Sequence, residues 1–413
     1  MADDRGELLA AGQAGNIAAI LAEEAEIIGQ IRRRGALSRT DLARLTGYSR
    51  AKITPLVGRL LASGILEEIG DGASQGGRRP RLIHFNSSQG CVIGVDIGAT
   101  SLDVALADLA GQIGERVSEP TDVRLGPEAV LDRVRTCAEA LLARRGIDPR
   151  QVYTLGVGVP GPVQFATGLL IAPPLMPRWE RYPIAAHLRR SFPNARVVVD
   201  NDVNVMALGE LWRGAGVGVE NLIFVKIGTG IGAGIVCHGA VYRGSSGCAG
   251  DIGHILADPG GAVCTCGNVG CLEAVAAAPP IAARAVAAAE AGESAFLAER
   301  LRAAGALTAA DVADAAAHGD LAALAIIQRS GRLIGDVLAS LVNFFNPGLI
   351  LIGGGVSQIG NQLLANIRQR ILRRSTPLAT RDLRVEYASL GLDAGVTGAV
   401  ALALEHAFVV ERG

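Results

Sequence analysis

Four potential metal ligands, one imidazole and three thiols, lie close together in the second half of the chain: His254, Cys264, Cys266 and Cys271. Nine residues separate the histidine from the first cysteine, and one and then four residues separate the cysteines. One nitrogen and three sulfur ligands complete a tetrahedral zinc site without an open position, which is typical of structural zinc. The alternative is a set of buried free thiols, against which the crowding of three cysteines within eight residues argues.

A second group of reactive side chains follows the apolar run at residues 197–199, where Asn201 and Asp202 end a predicted strand. Ligands of α/β folds bind at the carboxyl ends of strands. The Asp202 carboxylate has the chemistry to take a proton from a hydroxyl that attacks phosphorus. The pair also fits the start of a helix, since residues 206–212 look helical, and a capping role is compatible with a binding role.

Glycine-rich turns suited to phosphate follow β-type runs at two places. Residues 91–97 lead into a turn of small residues and a second strand, and residues 222–227 repeat this design later in the chain. Backbone N–H groups in such turns can cradle phosphate because no Cβ blocks the approach. Two such units predict two similar lobes facing a shared cleft. A third glycine cluster, 353–355, would suit a nucleotide base or ribose.

The elements that position these residues belong to a globular chain of 413 residues, of which 49% are hydrophobic and 19% charged. This composition excludes a disordered chain, and the length predicts two or three domains. The chain has neither the roughly 18 to 20 uninterrupted apolar residues of a membrane span nor a basic signal sequence, so we expect a cytoplasmic protein without a membrane partner. The cysteines outside the cluster are expected to be apolar fillers rather than disulfides. They are Cys91, Cys137, Cys237 and Cys248.

One basic segment stands out from an acidic chain. Residues 28–85 carry eleven Arg and Lys against four Asp and Glu, a net charge of +7, whereas the whole chain has a formal net charge of -1. A basic module on an acidic body indicates a polyanion partner. A solvated helical surface is the other explanation that charge alone allows.

The order of elements in this segment is typical of a winged helix-turn-helix. Apolar spacing predicts helices over 17–33, 39–45 and 50–62, with serine caps before the second and third. A strand at 65–69, a glycine-rich turn and the basic run 78–85 then predict a hairpin wing. The third helix would enter the major groove; the alternative is a small helical dimerisation domain. The residues placed to contact DNA are Ser49, Arg50, Lys52 and Thr54 of the third helix and Arg78, Arg79 and Arg81 of the wing.

Over nearly its full length the chain resembles the ROK family of sugar-responsive repressors and sugar kinases, in the subset similar to xylose-type and N-acetylglucosamine-type repressors. The motifs that carry the resemblance are Gly-Arg-Arg-Pro at 77–80, Asp-Ile-Gly-Ala-Thr at 96–100, Gly-Val-Pro-Gly at 158–161, Asn-Asp at 201–202, Gly-Thr-Gly-Ile-Gly at 228–232 and Gly-Asp-Ile-Gly-His at 250–254. The resemblance implies an α/β fold. A winged helix-turn-helix over 1–86 would precede a two-lobed, actin-like (ribonuclease-H-like) body with lobes at 91–200 and 201–413, the last helix being free to pack back on the first lobe. In the family's kinases ATP binds between the lobes.

The resemblance also implies a sugar site and a nucleotide site. Asn201 and Asp202 match the family's sugar-binding pair, and Asp202 matches the catalytic base of its kinases. His254 matches a histidine that binds zinc through one ring nitrogen and faces the sugar with the other. Asp251 and Glu273 match carboxylates on the sugar side. The nucleotide-phosphate residues implied are Asp96, Gly98, Thr100, Gly228, Thr229, Gly230, Gly232 and Gly354.

Three positions depart from the pattern of the family's kinases. Asp251 stands in place of a glutamate, Pro174 in place of an asparagine that binds the sugar, and Ala99 in place of a glycine of the first phosphate turn. The first two alter the sugar side of the site, where proline offers no side-chain donor. Asp202 and the second phosphate turn are intact, so nucleotide binding stays open.

The sequence therefore predicts a transcriptional regulator, a repressor of carbohydrate genes, that binds operator DNA and a sugar or sugar phosphate and holds a structural zinc. A homodimer or homotetramer is expected because helix-turn-helix readers usually bind two half-sites. Ligand binding would close the cleft and change the spacing of the wings. The main alternative is a sugar kinase, dependent on ATP and Mg²⁺, with an accessory DNA-binding head. A third is a regulator controlled by protein docking.

Overall fold

The computed structural model of the chain describes residues 20–71, 81–174 and 176–408. Over these ranges the chain forms a small N-terminal unit, here called the head, and a body of two α/β lobes, each built on a five-stranded sheet. The predicted wing residues Arg78 and Arg79 lie outside the described residues.

The head combines helices with an antiparallel sheet whose strand order is β1-β3-β2. Its elements are α1 (Ala22–Arg34), β1 (Leu37–Ser38), α2 (Arg39–Thr46), α3 (Arg50–Ala62), β2 (Leu66–Asp71) and β3 (Arg81–Phe85). The Ser38 hydroxyl starts α2 by accepting the backbone N–H of Asp41 at 3.1 Å, and Gly47 ends it at a left-handed φ of 73°. Ser49 caps α3 by accepting the backbone N–H of Lys52. Both caps lie where the sequence predicts them.

Apolar side chains spaced by three and four residues bury one face of α1 and of α3, whereas α2 buries Leu42. Helix α1 begins at Ala22, later than the helical spacing from residue 17 predicts, and buries Ile27 and Ile31. These side chains pack with Ile53 of α3 in one core. The head helices are therefore held together by apolar packing.

The first lobe of the body has the strand order β10-β7-β4-β5-β6. Its elements are β4 (Cys91–Ile97), β5 (Ser101–Asp108), β6 (Ile113–Pro120), α4 (Pro127–Arg145), β7 (Val152–Val159), the short pair β8 (Val163–Gln164) and β9 (Leu169–Leu170), α5 (Ile184–Leu188), β10 (Arg196–Asn201) and α6 (Asp202–Arg213). Strand β4 pairs antiparallel with β5 and parallel with β7, which brings the ends of β4 and β10 to one edge.

The second lobe has the strand order β13-β12-β11-β14-β15. Its elements are β11 (Leu222–Ile227), β12 (Ile231–Cys237), β13 (Ala240–Tyr242), α7 (Leu272–Ala276), α8 (Ala278–Glu290), α9 (Ala295–Ala304), α10 (Ala309–Ala317), α11 (Leu321–Phe345), β14 (Leu349–Gly353), α12 (Asn361–Arg374), α13 (Pro377–Thr380) and β15 (Arg384–Tyr387). The chain then continues into a last helix, α14 (Ala394–His406). Strand β11 pairs antiparallel with β12 and parallel with β14.

The two sheets share one topology. In each sheet the first three strands form an antiparallel meander. A fourth strand pairs in parallel with the first strand of the meander, and a fifth pairs in parallel with the fourth. Both strand–glycine–strand units of the sequence are present, with the turn between β4 and β5 in one lobe and between β11 and β12 in the other. The prediction of an α/β body with two similar, actin-like lobes is confirmed.

The C-terminal helix α14 packs on the first lobe, against β4, β7 and α6. Glycines allow its close approach. A Cβ on Gly156 would lie 2.1 Å from the carbonyl oxygen of Ala399, and a Cβ on Gly398 would lie 1.8 Å from that of Val205. Helix α14 is therefore fixed against the sheet with backbone nearly touching backbone.

The end of α14 also contacts the head. The ring of Phe408, just after the helix, meets Phe85 edge-on with 5.7 Å between centroids, and it meets Tyr153 at 5.6 Å. The guanidinium of Arg32 lies 5.6 Å from the Phe408 centroid and donates to the carbonyl oxygen of Leu404 at 3.4 Å. Head, first lobe and α14 thus share one apolar cluster.

One helical segment, Leu272–Glu290, is long and apolar enough to cross a membrane by length and composition alone. In the structure it comprises α7 and α8, and its side chains Leu272, Val275 and Ile281 are buried in the core of the second lobe. Its apolar character is explained by that packing.

Candidate functional site

The two glycine turns face each other across a cleft of about 920 Å³ between the lobes. Such a volume is at the upper end of the range for small-molecule sites. The residues that the sequence assigns to the sugar and nucleotide sites all line this cleft: Asp96, Gly98, Thr100, Asn201, Asp202, Gly228, Thr229, Gly230, Gly232, Asp251, His254, Glu273 and Gly354. Pro174 and Ala99, two of the positions that depart from the kinase pattern, line it too.

Asn201 joins the end of β10 to the start of α6. Its side-chain oxygen accepts the backbone N–H of Val203 at 2.9 Å, so Asn201 is the helix cap that the sequence allowed. Its amide nitrogen donates to the carbonyl oxygen of Gly161 at 3.0 Å, which ties α6 to the Gly-Val-Pro-Gly motif. One amide hydrogen is left to face the cleft, because the amide has two.

Asp202, the first residue of α6, is 3% exposed and forms an ion pair with Lys226. The Lys226 ammonium donates to Oδ2 of Asp202. Lys226 lies near the end of β11, just before the second glycine turn, and also lines the cleft. Sequence reasoning missed Lys226 as a site residue. The signal was available, since the chain contains two lysines and one of them interrupts a buried strand.

Asp96, at the end of β4, is a second buried carboxylate in the same place. Burial raises its pKa to about 7, the positive charge of Lys226 opposes the rise, and the charge of Asp202 adds to it. Its Oδ1 has no hydrogen-bond partner among the described residues. The other oxygen lies against the start of α14, where a Cβ on Gly395 would come within 1.8 Å of it.

Arg243, which follows β13, holds the start of α6 from the second lobe. Its Nε donates to Oδ2 of Asp200 at 2.8 Å, and its guanidinium lies 3.9 Å from the ring centroid of Phe165. Oδ1 of Asp200 accepts the backbone N–H of Asn201 at 2.8 Å and the amide of Asn204 at 3.1 Å. No motif in the sequence indicates this pair of Arg243 and Asp200, which orients the backbone that carries Asn201.

Glu273 and His254 approach the cleft from the second lobe. Oε2 of Glu273 accepts the backbone N–H of Ile231 at 3.0 Å, and a Cβ on Gly230 would lie 2.3 Å from the same oxygen. The glycine turn therefore fits around this carboxylate. Nε2 of His254 lies 3.9 Å from an oxygen of Asp251, on the cleft side of the ring.

The other ring nitrogen of His254 belongs to the predicted metal cluster. Nδ1 lies 3.5 Å from Sγ of Cys264, and Sγ of Cys266 lies 3.7 Å from Sγ of Cys271. All four ligand atoms lie within 4.8 Å of one another. A zinc tetrahedron with Zn–S bonds of about 2.3 Å has ligand–ligand edges of about 3.8 Å. The cluster thus has the dimensions of a tetrahedral metal centre.

The loop that carries the cluster folds back on itself. Leu256 forms an isolated β-bridge with Cys271, and Gly270 takes a φ of 74° against the carbonyl oxygen of Asp258. The backbone N–H of Asn268 lowers the pKa of Cys266 to about 7, whereas burial raises that of Cys271 to about 12. The Cys266 thiol therefore ionises more readily than the Cys271 thiol before a cation binds.

The remaining cysteines differ from the prediction at two positions. Cys91 and Cys137 are buried fillers, but Cys237 is half-buried and Cys248 is exposed and lines the cleft. Cys248 follows a run of small residues at 244–247, outside any strand, and is exposed there.

Five of the residues predicted to contact DNA lie in the described part of the chain and are exposed on the head: Ser49, Arg50, Lys52, Thr54 and Arg81. Arg50 lies in the first turn of α3. Lys52 pairs with Glu23 at 3.1 Å and lies 4.2 Å from the ring centroid of Tyr48. The Thr54 hydroxyl donates to the carbonyl oxygen of Arg50. Ser49 serves as the helix cap, and Arg81 pairs with Glu68. Several of these side chains therefore already have partners within the head.

Comparison with known proteins gives the relatives of this chain. The profile of the ROK family matches residues 92–406. A glucokinase of Halalkalibacterium halodurans is 36% identical over 322 residues, which cover 78% of this chain and 97% of that protein. A xylose repressor of Caldicellulosiruptor bescii is 31% identical over 373 residues, 89% of this chain and 92% of the repressor. The crystal structure of a ROK family transcriptional regulator, a homologue of the E. coli MLC protein, superposes with a TM-score of 0.79 at 28% identity, over 93% of this chain and 96% of that one.

The repressor and the solved regulator align over more of this chain than the glucokinase does. The alignment nonetheless covers 97% of the length of the glucokinase. The body of this chain is thus similar to a kinase and to regulators alike.

Proposed function

Since the chain belongs to the ROK family, we propose that it is a DNA-binding transcriptional regulator, a repressor of carbohydrate genes, whose body binds a sugar or sugar phosphate. The observation that carries this proposal is the joining of a basic helical head to a ROK body through α14. The repressor of C. bescii and the solved regulator, which align over 89% and 93% of this chain, support it.

We interpret the head as a winged helix-turn-helix. Helices α2 and α3 are joined by a short turn at Gly47, and strands β2 and β3 form the base of the wing. In such motifs the second helix of the pair enters the major groove, and dimers read two half-sites. Arg50 is the best placed base or phosphate contact, because Lys52 must first exchange its pairing with Glu23.

The sugar would lie where polar side chains of both lobes converge. Asn201 and Asp202 approach from one side and Asp251, His254 and Glu273 from the other. Carboxylates, an amide and an imidazole are the groups that recognise hydroxyls of a small polar ligand. Pro174 lines this region without a side-chain donor, so a family-type asparagine contact is missing.

Helix α14 offers a route from the cleft to the head. Its start lies against the Asp96 carboxylate, and the residues at its far end pack on Phe85 and Arg32 of the head. A helix of 13 residues spans about 20 Å. A sugar that favours a closed cleft would move the first lobe, with α14 packed on it, relative to the second lobe, and the head would move with α14. The regulation would thus be a population shift driven by differential sugar affinity.

The cluster of His254, Cys264, Cys266 and Cys271 would hold zinc. The ion would keep the loop folded and fix the His254 ring so that Nε2 faces the cleft. Because all four positions are protein ligands, zinc would act as a structural element here and take no part in bond making. Loss of zinc should therefore weaken sugar binding through the loop.

A sugar kinase that uses ATP and Mg²⁺ is the second candidate. The glucokinase relative, the intact Asp202 and the second glycine turn favour it. Pro174, Asp251 and the ion pair of Asp202 with Lys226 argue against it. An enzyme would need Asp202 free to accept a proton from the sugar hydroxyl.

The test is DNA binding to the chain's own upstream region, measured by fluorescence anisotropy across a salt series and then with a panel of pentoses, hexoses and their phosphates. We expect submicromolar binding that weakens steeply with salt, and release by one sugar class. Arg50→Ala should weaken DNA binding or change its sequence preference. Arg381→Ala, an exposed arginine on the body, is the matched control and should have no effect.

Failure to bind any DNA of that region would overturn the proposal. DNA binding that no sugar changes, together with a protein that coelutes and releases the DNA, would instead establish control by protein docking. Sugar phosphorylation by the wild-type chain would establish the kinase.

A further inference from the structure

We propose that the Lys226 ammonium takes the place that a divalent cation would need beside Asp96 and Asp202, so that the cleft binds its sugar without loading a metal–nucleotide complex. The inference rests on the proposed function, because it explains how a ROK body keeps a sugar site and loses phosphate transfer. Lys226 would then be a residue that distinguishes a sugar-binding regulator from a sugar kinase with the same fold.

The position of Lys226 in the sheet directs its side chain into the cleft. Its strand neighbours are Gly232 on β12 and Gly353 on β14, so no neighbouring side chain crowds it. The side chain is 21% exposed and reaches the Asp202 carboxylate, itself 4% exposed. Both Lys226 and Asp202 line the cleft between the glycine turns. The ion pair therefore lies where phosphates and their metal would have to enter.

The charges of Asp96, Asp202 and Lys226 explain why a divalent cation would be excluded from the cleft. Mg²⁺ is a hard cation held mainly by carboxylate oxygens and phosphates. When both are ionised, Asp96 and Asp202 offer two negative charges, and Lys226 already neutralises one of them. The Asp96 oxygen that lacks a hydrogen-bond partner among the described residues depends on the same ammonium for compensation. A divalent ion would have to displace a cation that both carboxylates stabilise.

Deprotonation does not remove the positive charge of Lys226 from this position. Burial alone would lower its pKa, but the negative charges of Asp202 and Asp96 outweigh burial and raise the pKa above the ordinary value for lysine. The ammonium therefore stays charged at neutral pH. The residues present do not fit a Mg²⁺ site as they stand.

The direct test uses zinc-loaded, full-length protein without sugar or DNA, with Mn²⁺ alone as the probe, and measures bound Mn²⁺ by electron paramagnetic resonance. Lys226→Gln keeps a donor to Asp202 and removes the charge, so it should bind Mn²⁺ at least about tenfold more tightly than wild type. Lys226→Arg keeps the charge and should bind as weakly as wild type. Lys52→Gln, at the other lysine, is the background control.

Wild-type binding as tight as that of Lys226→Gln would overturn the proposal, and so would equally tight binding by Lys226→Arg. A measurement on the wild type covers the case in which the variants do not fold. Lysine labelled with ¹³C at Cε gives two resonances in this chain, since Lys52 and Lys226 are its only lysines. The Lys226 resonance should stay sharp in millimolar Mn²⁺, and saturable broadening confined to it would contradict the proposal. Either failure leaves sugar-dependent release of DNA intact, so the two ideas are tested separately.

Discussion

Removal of one cysteine ligand gives a quantitative test of the link between the metal cluster and the cleft. Cys271 is 1% exposed, its Sγ lies 3.7 Å from that of Cys266, and it immediately precedes α7, which carries Glu273. Cys271→Ser should lose zinc, because serine is a poor zinc ligand beside two thiolates. The loop from His254 to Glu273 should then lose its fixed geometry.

The expected loss of sugar affinity follows from the two side chains that this loop positions. A neutral hydrogen bond from His254 contributes about 0.5–1.5 kcal/mol and a charged one to Glu273 about 1.5–3 kcal/mol. Losing both costs about 2–4.5 kcal/mol, or about thirty-fold to two-thousand-fold in dissociation constant. DNA binding without sugar should be unchanged, since the head packs on α14 and not on this loop.

The assay combines metal analysis, sugar titration calorimetry and DNA anisotropy on the same preparations. Cys248→Ser is the matched control, because its exposed thiol lines the same cleft but is not part of the cluster. Wild type and Cys248→Ser should each contain about one zinc per chain. A fully stable wild type without metal, or a zinc-free Cys271→Ser that binds sugar normally, would show that the metal cluster does not position the sugar site.

Three further predictions concern the wing, the α14 contact and the buried carboxylate. If both arginines touch phosphate, Arg78→Ala combined with Arg79→Ala should reduce the salt dependence of DNA binding by about one to two units of slope. Phe408→Ala removes a ring that is 7% exposed; it should cost about 3–5 kcal/mol in chemical denaturation and abolish sugar-dependent release while sugar still binds. The pKa of Asp96, raised by burial to about 7, makes the folded state bind a proton more readily than the unfolded one, so stability should fall as pH rises from 5 to 8. Asp96→Asn should remove that fall, worth up to about 3 kcal/mol between pH 5 and 8, in unfolding curves recorded across this range.

Local patterns in the sequence were sufficient to predict the helices and strands and the residues of the metal cluster. Ser38 and Ser49 cap the helices that follow them, because a cap depends on residues three positions away. The cluster at His254 and Cys264 to Cys271 assembles within one loop, so its spacing already constrains its geometry. The glycine turns are recognisable for the same reason.

Contacts between distant segments were not predictable in this way. Arg32 and Leu404 are 372 residues apart in sequence, and neither carries a local feature that points to the other. The same holds for Lys226 and Asp202, which meet only because β11 and α6 belong to opposite sides of the cleft. The sequence left open whether Asn201 caps a helix or faces a ligand; the structure makes it the cap of α6 and still places it in the cleft.

The most direct test of whether the chain is a sugar sensor or a kinase compares wild type with Asp202→Asn. This variant keeps an oxygen to accept the Lys226 hydrogen bond. ATP turnover, sugar affinity and sugar-dependent DNA release are measured on the same samples. For a sensor, wild-type turnover is negligible, and the variant binds DNA normally but needs about ten-fold to a hundred-fold more sugar for release. Robust wild-type turnover that falls by about 10²–10⁴-fold in Asp202→Asn, with no effect of sugar on DNA binding, would contradict the account and establish a kinase.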